Sequence, residues 1–489
     1  MEGSSYIQNP ESILIIGGIQ YLLTGRYSNP RILLSTSLGS FITPFTSSVI
    51  SFSVPEIGSA FHASFFAMVW VPMTYLIVIS TTMILLGKLS DNFGRTRFYS
   101  IGLLIFGIGG ISATFSTSVF YLSASIAVMG IGASFFAVNS TAILSSVYPP
   151  ESRGGALGIN AMSVYLGLTS GPVAAGYLIN YMGWQSVFYL VSAYAFLSLI
   201  PVFLYLRKLD LPAKRERMDL AGFVLFFFSM LLTVLFLSLT EISGILPAVY
   251  LLIAGMLLLA VFLLYERRKE NPILDVRLFM RSRTFSAANF TAFLNYVSTF
   301  AIVFVFSIYF SVVANLQPSQ YGIILSVEPA VMVIFSPLSG RLSDRIGSRI
   351  PASLGMLIIS MAFFYIGYEI GHVPPAELVY PLAVIGLGFG LFSAPNTNSV
   401  MGSVERKDLG TASGVLGTMR FVGQLMSLAI MGTVLAESVP RSTMIQLFSG
   451  VSSNFTLFDM SGFMEGMKLV MITSGILSMA GVFTSLVRK

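Results

Sequence analysis

The chain has 489 residues, of which 55% are hydrophobic and only 10% are charged, and its mean hydropathy is +0.83. Soluble proteins carry about 25% charged residues, so this composition excludes an ordinary soluble fold and predicts an all-α polytopic membrane protein. The net charge of +6 lies in short loops between apolar runs, which follows membrane topology and gives no reason to expect a nucleic-acid partner. The absence of cysteine excludes disulfides and thiolate metal sites.

The first 32 residues are predicted to form a cytoplasmic or interfacial segment. Their apolar stretch, residues 13–23, has about half of the ~20 residues that a membrane span needs. It lacks the basic start and the small-residue cleavage site of a signal peptide, so nothing marks it for removal. From residue 33 the hydropathy predicts fourteen spans. Their approximate bounds are 33–54, 64–86, 98–116, 119–145, 155–181, 184–206, 219–240, 245–264, 284–308, 320–340, 350–371, 375–397, 410–436 and 463–486.

The basic residues predict the orientation of these spans. Lys and Arg concentrate in the loops after even-numbered spans, whereas the opposite loops and their margins hold only Arg441 and Lys468. Because positively charged loops stay in the cytoplasm, we expect both termini to be cytoplasmic and the protein to lie in the plasma membrane. The two histidines, His62 and His372, lie beside predicted outer loops, so neither a metal site nor a cofactor is expected.

A short motif occurs twice, each time between two long apolar runs. The first copy is Gly87-Lys-Leu-Ser-Asp-Asn-Phe-Gly-Arg-Thr-Arg97, and the second is Gly340-Arg-Leu-Ser-Asp-Arg-Ile-Gly-Ser-Arg349. A second landmark repeats at nearly the same offset: Asn139 precedes a glycine-rich loop at 154–158, and Asn396 precedes another at 410–414. The chain is therefore predicted to consist of two related halves, with each motif forming a tight turn at the cytoplasmic face.

The repeat predicts how the domains are arranged. A six-helix bundle is expected over residues 33–208 and a second over 284–489. The offset between the motif copies is too long for six spans alone, and the excess is a two-span hairpin with basic linkers, residues 209–283. Leu and Phe dominate the hairpin. We expect it to be a lipid-facing scaffold, because a transport pathway must offer polar partners.

The paired motifs carry the first candidate functional residues. Asp91 and Asp344 can accept hydrogen bonds from backbone N–H groups at neighbouring helix ends, and the arginines beside them can bind carboxylates or lipid phosphates. Such contacts can form in one conformation and break in another, which favours a gating role. A well-capped tight turn is the alternative.

The fifth span contains Gly167-Leu-Thr-Ser-Gly171-Pro172-Val-Ala-Ala-Gly176. Small residues at this spacing let a neighbouring helix approach closely, and the proline kinks the helix. Helix packing alone would explain the pattern.

The doubled Gly-x-Leu-x-Asp-x-x-Gly motif resembles the loop between the second and third spans of major facilitator superfamily transporters. With fourteen spans and the Gly-x-x-x-Gly-Pro pattern, the chain from about 33 to 486 resembles the fourteen-span drug:proton antiporters. The resemblance implies two pseudo-symmetric six-helix bundles plus an inserted hairpin, and proton-coupled export. It also implies a cytoplasmic gate that stabilises the outward-facing state, and an antiporter motif in the fifth span. The implied residues are Gly87, Asp91, Gly94, Arg95, Gly340, Asp344 and Gly347 for the gate, and Gly167, Gly171, Pro172 and Gly176 for the antiporter motif.

Two positions depart from that family. Where the family has an acid in the first span, this chain has Phe45-Thr46-Ser47-Ser48, and where the fourth span usually carries an arginine, it has Ile126-Ala-Val-Met129-Gly130. In the family these positions serve recognition of cationic substrates and proton coupling, so neither role can be carried over to them.

Two ionisable residues remain deep inside predicted spans. Glu328 and Arg420 are both expected near the membrane midplane. An acid there is costly to bury, and burial favours proton exchange near physiological pH. The sequence leaves two interpretations open: Glu328 couples protons, or Glu328 and Arg420 form a structural ion pair.

The function predicted from the sequence is secondary active export of amphipathic or drug-like small molecules by alternating access, with protons as the coupling ion. Uptake or facilitated diffusion of an organic solute is the alternative. A sensor or a membrane enzyme is disfavoured, because the chain lacks both a signalling domain and clustered catalytic groups. We expect a monomer in the lipid bilayer, bound only by its small-molecule substrate and protons. Candidates for the substrate cavity are Tyr75, Phe135, Asn139, Asn289, Asn295 and Asn396.

Overall fold

A computed structural model describes residues 30–148, 150–207, 209, 219–243, 245–269, 272, 274, 276–405, 409–438 and 457–488. Within these residues the regular structure is helical throughout, and no strand occurs. The helices before the hairpin are α1 (Pro30–Phe52), α2 (Val54–Phe61), α3 (Phe65–Phe93), α4 (Arg95–Thr114), α5 (Val119–Val147), α6 (Pro150–Met182) and α7 (Gln185–Pro201). The hairpin consists of α8 (Leu220–Ser243) and α9 (Ile245–Arg268). The helices after it are α10 (Val276–Arg281), α11 (Arg283–Thr299), α12 (Ile302–Ile308), α13 (Pro318–Ile346), α14 (Arg349–Glu369), α15 (Val379–Gly402), α16 (Leu409–Ser438) and α17 (Leu457–Leu486).

Thirteen helical segments of the described chain are long and apolar enough to cross a membrane. Three of these segments are longer than a single α-helix. A π-helical turn at Val202–Leu206 extends α7, and a 3-10 turn at Pro375–Leu378 precedes α15. Helices α11 and α12 belong to one segment, which ends at Val313. The remaining predicted span corresponds to α8, which is the first helix of the hairpin. The all-α polytopic prediction is confirmed.

The prediction that the repeated motifs are loops is wrong for most of their length. Helix α3 continues through the first motif to Phe93, and α13 continues through the second to Ile346. The turn in each copy is made by the second glycine, because Gly94 has φ +110° and Gly347 has φ +81°, values that only glycine adopts without strain. The glycine-rich stretches 154–158 and 410–414, predicted as loops, are helical as well.

Glycine contacts repeat between the two halves and explain why their helices pack so closely. A Cβ built on Gly102 of α4 would lie 2.7 Å from the carbonyl oxygen of Gly132 on α5. In the second half, a Cβ on Gly355 of α14 would lie 2.4 Å from the carbonyl oxygen of Gly388 on α15. At both crossings the helix backbones touch, which any side chain would prevent.

The two sets of helices meet most extensively along two pairs, α6 with α13 and α3 with α16, and α12 also contacts α1 and α2. The hairpin helix α8 packs against both α3 and α16, so it lies across one of these junctions. Asp219 ties the hairpin together at its base. Its carboxylate accepts hydrogen bonds from the Gly222 N–H and the Tyr265 hydroxyl, both at 3.0 Å, and lies 3.6 Å from the Lys269 ammonium.

Candidate transport pathway and gates

The helix ends define two faces of the molecule. We call the face with the Gly94 and Gly347 turns the basic face, and the opposite face, where α1 ends and α13 begins, the far face. Glycines of α6 and α13 close the far face. A Cβ on Gly176 would lie 2.5 Å from the carbonyl oxygen of Pro318, and a Cβ on Gly322 would lie 2.5 Å from that of Pro172. Backbone therefore meets backbone across the two halves.

The glycines of the fifth-span motif divide between two partners. Gly167 and Gly171 face α1 within their own half, where built Cβ atoms would lie 2.4 Å from the Phe41 carbonyl oxygen and 2.9 Å from the Ser48 Cβ. Gly176 faces the opposite half. One part of the motif thus packs within its own bundle, and the other part closes the far face. The sequence does not reveal this division.

Polar and aromatic contacts reinforce the far-face closure. The Ser307 hydroxyl donates to the Ser51 carbonyl oxygen at 3.4 Å, and the Tyr321 hydroxyl donates to Glu56 at 3.4 Å. Phe52 stacks on Tyr321 with ring centroids 4.6 Å apart. All three contacts cross between the halves.

Glu56 is half-buried beneath these contacts. Burial raises the pKa of its carboxyl group, although hydrogen bonds from Tyr321 and Ser311 oppose that rise. It therefore adds a titratable group to the far-face closure.

At mid-depth a further cross-half contact joins the hydroxyls of Tyr165 on α6 and Ser393 on α15. At the basic face, no described glycine makes a backbone-to-backbone contact across the halves like those at the far face. Two glycines there, Gly402 and Gly414, have no atom within 4 Å of a built Cβ. The structure is thus closed at the far face.

The predicted gate residues Asp91 and Arg95 of the first motif bond within their own half. Arg95 pairs with Asp91 one turn away, and it donates to the Ser146 hydroxyl at 2.9 Å and the Ala142 carbonyl oxygen at 3.3 Å. Among the residues that the structure describes, no backbone N–H donates to Asp91, contrary to the prediction. An exposed ion pair of this kind contributes about 0–1 kcal/mol, so it can be exchanged at little cost for a contact across the halves.

Asp344 of the second motif is exposed to solvent. The serine beside it, Ser343, accepts a hydrogen bond from the Asn398 amide at 3.0 Å. In the first motif, Ser90 donates to Asn139 Oδ1 at 2.8 Å. Each motif is therefore tied to a neighbouring span by one serine–asparagine hydrogen bond.

The six cavity candidates do not border an open space in this conformation. Each is at most 6% exposed to solvent. Phe135 packs against Phe98 at the α4–α5 contact. The Asn139, Asn289 and Asn295 side chains donate to Phe135 O, Phe285 O and Met356 Sδ, respectively, and Tyr75 donates to the Thr43 carbonyl oxygen. The candidates are helix-packing residues here, and a role in the substrate cavity stays a prediction.

The remaining candidate, Asn396, accepts a hydrogen bond from Arg488 at 2.6 Å. Arg488 is 1% exposed, and its Nε has no hydrogen-bond partner. Burial lowers the pKa of this guanidinium, because it disfavours the charged form. The sequence gives no reason to place Arg488 beside Asn396. No spacing rule connects two residues so far apart in the chain.

Glu328 and Arg420 lie at mid-depth, as predicted, but they do not form an ion pair. Glu328 lies ten residues into α13 and Arg420 eleven residues into α16, which is roughly 15 Å from each helix start at 1.5 Å per residue. Neither side chain has a hydrogen bond or an ion pair to another described residue. Glu328 is half-buried.

Comparison with known proteins defines the class to which this fold and these gates belong. The sequence profile of the Major Facilitator Superfamily matches residues 36–428. The chain belongs to this superfamily of membrane transporters.

Its relatives have different named functions. The chain is 28% identical over 415 residues to the riboflavin transporter RibZ of Clostridioides difficile, covering 83% of this chain and 88% of that one. It is 27% identical over 411 residues to the multidrug resistance protein Stp of Mycobacterium tuberculosis, covering 83% and 75%. The drug efflux pump JefA of the same species is 27% identical over 418 residues, covering 82% and 80%.

Solved structures share the fold. A bacterial homologue of the human lysosomal transporter Spinster superposes with a TM-score of 0.68 at 16% identity, covering 94% of this chain and 97% of that one. The xylose transporter XylE of Escherichia coli superposes with a TM-score of 0.62 at 13% identity, covering 93% and 96%. The predicted major facilitator fold is confirmed.

Proposed function

We propose that this transporter exports amphipathic small molecules across the plasma membrane in exchange for protons, with the basic face in the cytoplasm. The observation that carries the proposal is the position of the fifth-span motif. Its last glycine closes the far face against α13, so the motif that resembles that of the drug exporters lies at a contact which alternating access must open. Two relatives named for drug resistance or efflux support the direction.

Proton coupling is assigned to Glu328. It is the acid found at mid-depth among the described membrane helices, it has no basic partner among the described residues, and its side chain is not fully buried. An unpaired acid at this depth is costly unless it has a function. The side chain can take up a proton when water reaches it from one face and release the proton when water reaches it from the other.

The coupling can be tested with Glu328→Gln in proteoliposomes, using ethidium as the transported probe and an imposed pH gradient. The amide keeps the shape of the side chain but cannot exchange a proton. We expect pH-driven ethidium transport to be lost while the variant stays monodisperse, because no ion pair with Arg420 is broken. The matched control is Glu377→Gln, an exposed acid near the far face, which should transport normally.

Two results would count against this assignment. Undiminished pH-driven transport by Glu328→Gln would exclude coupling through this residue. Instability of Glu328→Gln that is rescued by adding Arg420→Gln would establish the structural ion pair instead.

Uptake of an organic solute is the second candidate function. The riboflavin transporter among the relatives favours it, and so does the absence of the first-span acid and the fourth-span arginine. Riboflavin counterflow in the same proteoliposomes, with and without the pH gradient, separates the two. Riboflavin transport that ignores the gradient would favour facilitated uptake over proton-coupled export.

A further inference from the structure

Arg420 is a cation without an anion. It lies at mid-depth in α16, in the part of the bilayer where a charge needs a partner. Among the described residues it forms no ion pair and no hydrogen bond, and its Nε is buried without an acceptor. Arginine does not lose its proton in proteins, so the charge stays at this depth.

Aromatic rings hold the guanidinium in place. Its Cζ lies 5.8 Å from the ring centroid of Tyr296 and 5.4 Å from that of Phe421. Cation–π contacts at these distances orient a guanidinium but leave its N–H groups free to bind an acceptor. Gly423 helps to position Tyr296, because a Cβ built on that glycine would lie 2.8 Å from the Tyr296 Cβ.

A second unpartnered group lies beside the first. Gln424 follows Arg420 by one helical turn and therefore lies on the same side of α16. It is 3% exposed, and its Oε1 has no hydrogen-bond partner. Buried polar groups are normally paired, and rotation of the amide can present its NH₂ group instead. Arg420 and Gln424 therefore offer two polar groups on one helix face that could bind a ligand together.

The charge also faces the junction of the two halves. Helix α16 packs against α3 of the first half, and a Cβ built on Gly417, three residues before Arg420, would lie 3.5 Å from Cε of Met83 on α3. Tyr296 packs edge-on against Phe389 at 5.6 Å between centroids. A ligand held by Arg420 would thus contact both halves, with flat rings available for stacking.

We propose that Arg420 binds an acidic group, such as a carboxylate, on an aromatic solute carried by this transporter, with Gln424 as a second polar contact. The inference rests on the proposed function, since it names the chemical class of the molecule transported. It places aromatic acids among the amphipathic compounds that the protein carries.

A matched pair of fluorescent probes tests the proposal on the purified full-length protein. Dansylglycine carries a carboxylate, and dansylglycinamide replaces it with a neutral amide of the same size. We expect the wild type to bind dansylglycine at least about tenfold more tightly, as a charge-assisted bidentate contact implies. Arg420→Gln should bind both probes equally. Arg283→Gln, which removes an exposed arginine at the basic face, should keep the wild-type preference.

Three results would overturn the proposal: equal affinities in the wild type, no saturable binding of either probe, or a preference that survives Arg420→Gln. If Arg420→Gln does not yield monodisperse protein, Arg420→Lys and Gln424→Leu replace it. Both should reduce the preference for the acid, and an unchanged preference in both would refute the assignment.

Probe binding and ethidium transport together distinguish an error in the acid site from an error in the proposed function. Equal probe affinities with intact pH-driven ethidium transport would remove the acid site alone. A clear preference for dansylglycine in a protein that shows no proton-driven transport would instead remove the export mechanism and leave the acid site standing.

Discussion

Gly176→Ala should open the far face. The added methyl group would lie 2.5 Å from the Pro318 carbonyl oxygen and 3.1 Å from its carbon. Both are backbone atoms that cannot rotate away, so α6 and α13 must separate to relieve the contact. Overpacking of this kind costs about 1–3 kcal/mol. The cost falls only on the conformation in which the far face is closed, so the ratio of far-open to far-closed molecules should rise about 5- to 150-fold.

A single cysteine reports this shift, because the chain has no cysteine of its own. Ser51 is 1% exposed, and its carbonyl oxygen accepts the cross-half hydrogen bond from Ser307. We expect a Ser51→Cys reporter to react slowly with a membrane-impermeant maleimide, and faster by the same factor once Gly176→Ala is added.

Gly414→Ala is the matched control for this experiment. It makes the same change inside a helix, but no atom lies within 4 Å of the new Cβ, so labelling should stay at the rate of the reporter alone. If Gly176→Ala leaves the rate unchanged while transport continues, the glycine contact does not set the closed conformation, and the reasoning is refuted.

The remaining predictions concern the packing of the first bundle, the basic-face gate and the pH response. Gly171→Leu should insert into membranes but lose transport, because no side chain fits against α1; retained ethidium transport would contradict this. Asp91→Asn loses the charge that pairs with Arg95 and should favour the far-closed form, which slower labelling of the cysteine reporter would show; unchanged labelling with normal transport would refute it. Burial raises the pKa of Glu56 in the closed form, so that form binds the proton more tightly. Closing should thus be favoured as pH falls through the raised pKa, and labelling relative to an exposed cysteine should slow. Glu56→Gln should abolish this pH dependence, and its persistence would assign the response to another group.

Much of the fold could be predicted because membrane helices are specified by length and hydropathy. The predicted spans match helices of the structure to within a few residues at most ends. The largest boundary error concerns the motif copies. Residues 87–93 and 340–346 carry polar and charged side chains, which lower the hydropathy without stopping the helix. Hydropathy locates the membrane-spanning segments of the chain. The turns are located only by the positive φ angles at Gly94 and Gly347.

The hydropathy pattern could not predict which side chains and glycines of the membrane helices pack against which neighbouring helix. In a soluble helix the apolar stripe marks the buried face, but in a membrane helix the lipid-facing and core-facing sides are both apolar. Periodicity therefore gave no reason to place Phe135 between α4 and α5, or Gly176 against the opposite half. The depths of Glu328 and Arg420 were predictable by counting residues. Their lack of contact was not, because counting gives depth along a helix and says nothing of direction around it.

The candidate residues also suggest how binding and coupling communicate in the proposed mechanism. Glu328 shares helix α13 with Gly322, which closes the far face against Pro172, and six residues separate the two, or about 9 Å along the axis. Arg420 lies on α16, the helix that packs against α3 at the other junction of the halves. The proposed proton site and the proposed acid site thus lie on the two helices of the second half that contact the first half most extensively. A rigid helix moves as one unit. In the proposed mechanism, a displacement of α13 caused by a change of charge at Glu328 would therefore also displace Gly322 at the far-face contact. The far-face contact joins backbone atoms directly, with no side chain between them. We therefore expect it to be either closed or open, without an intermediate.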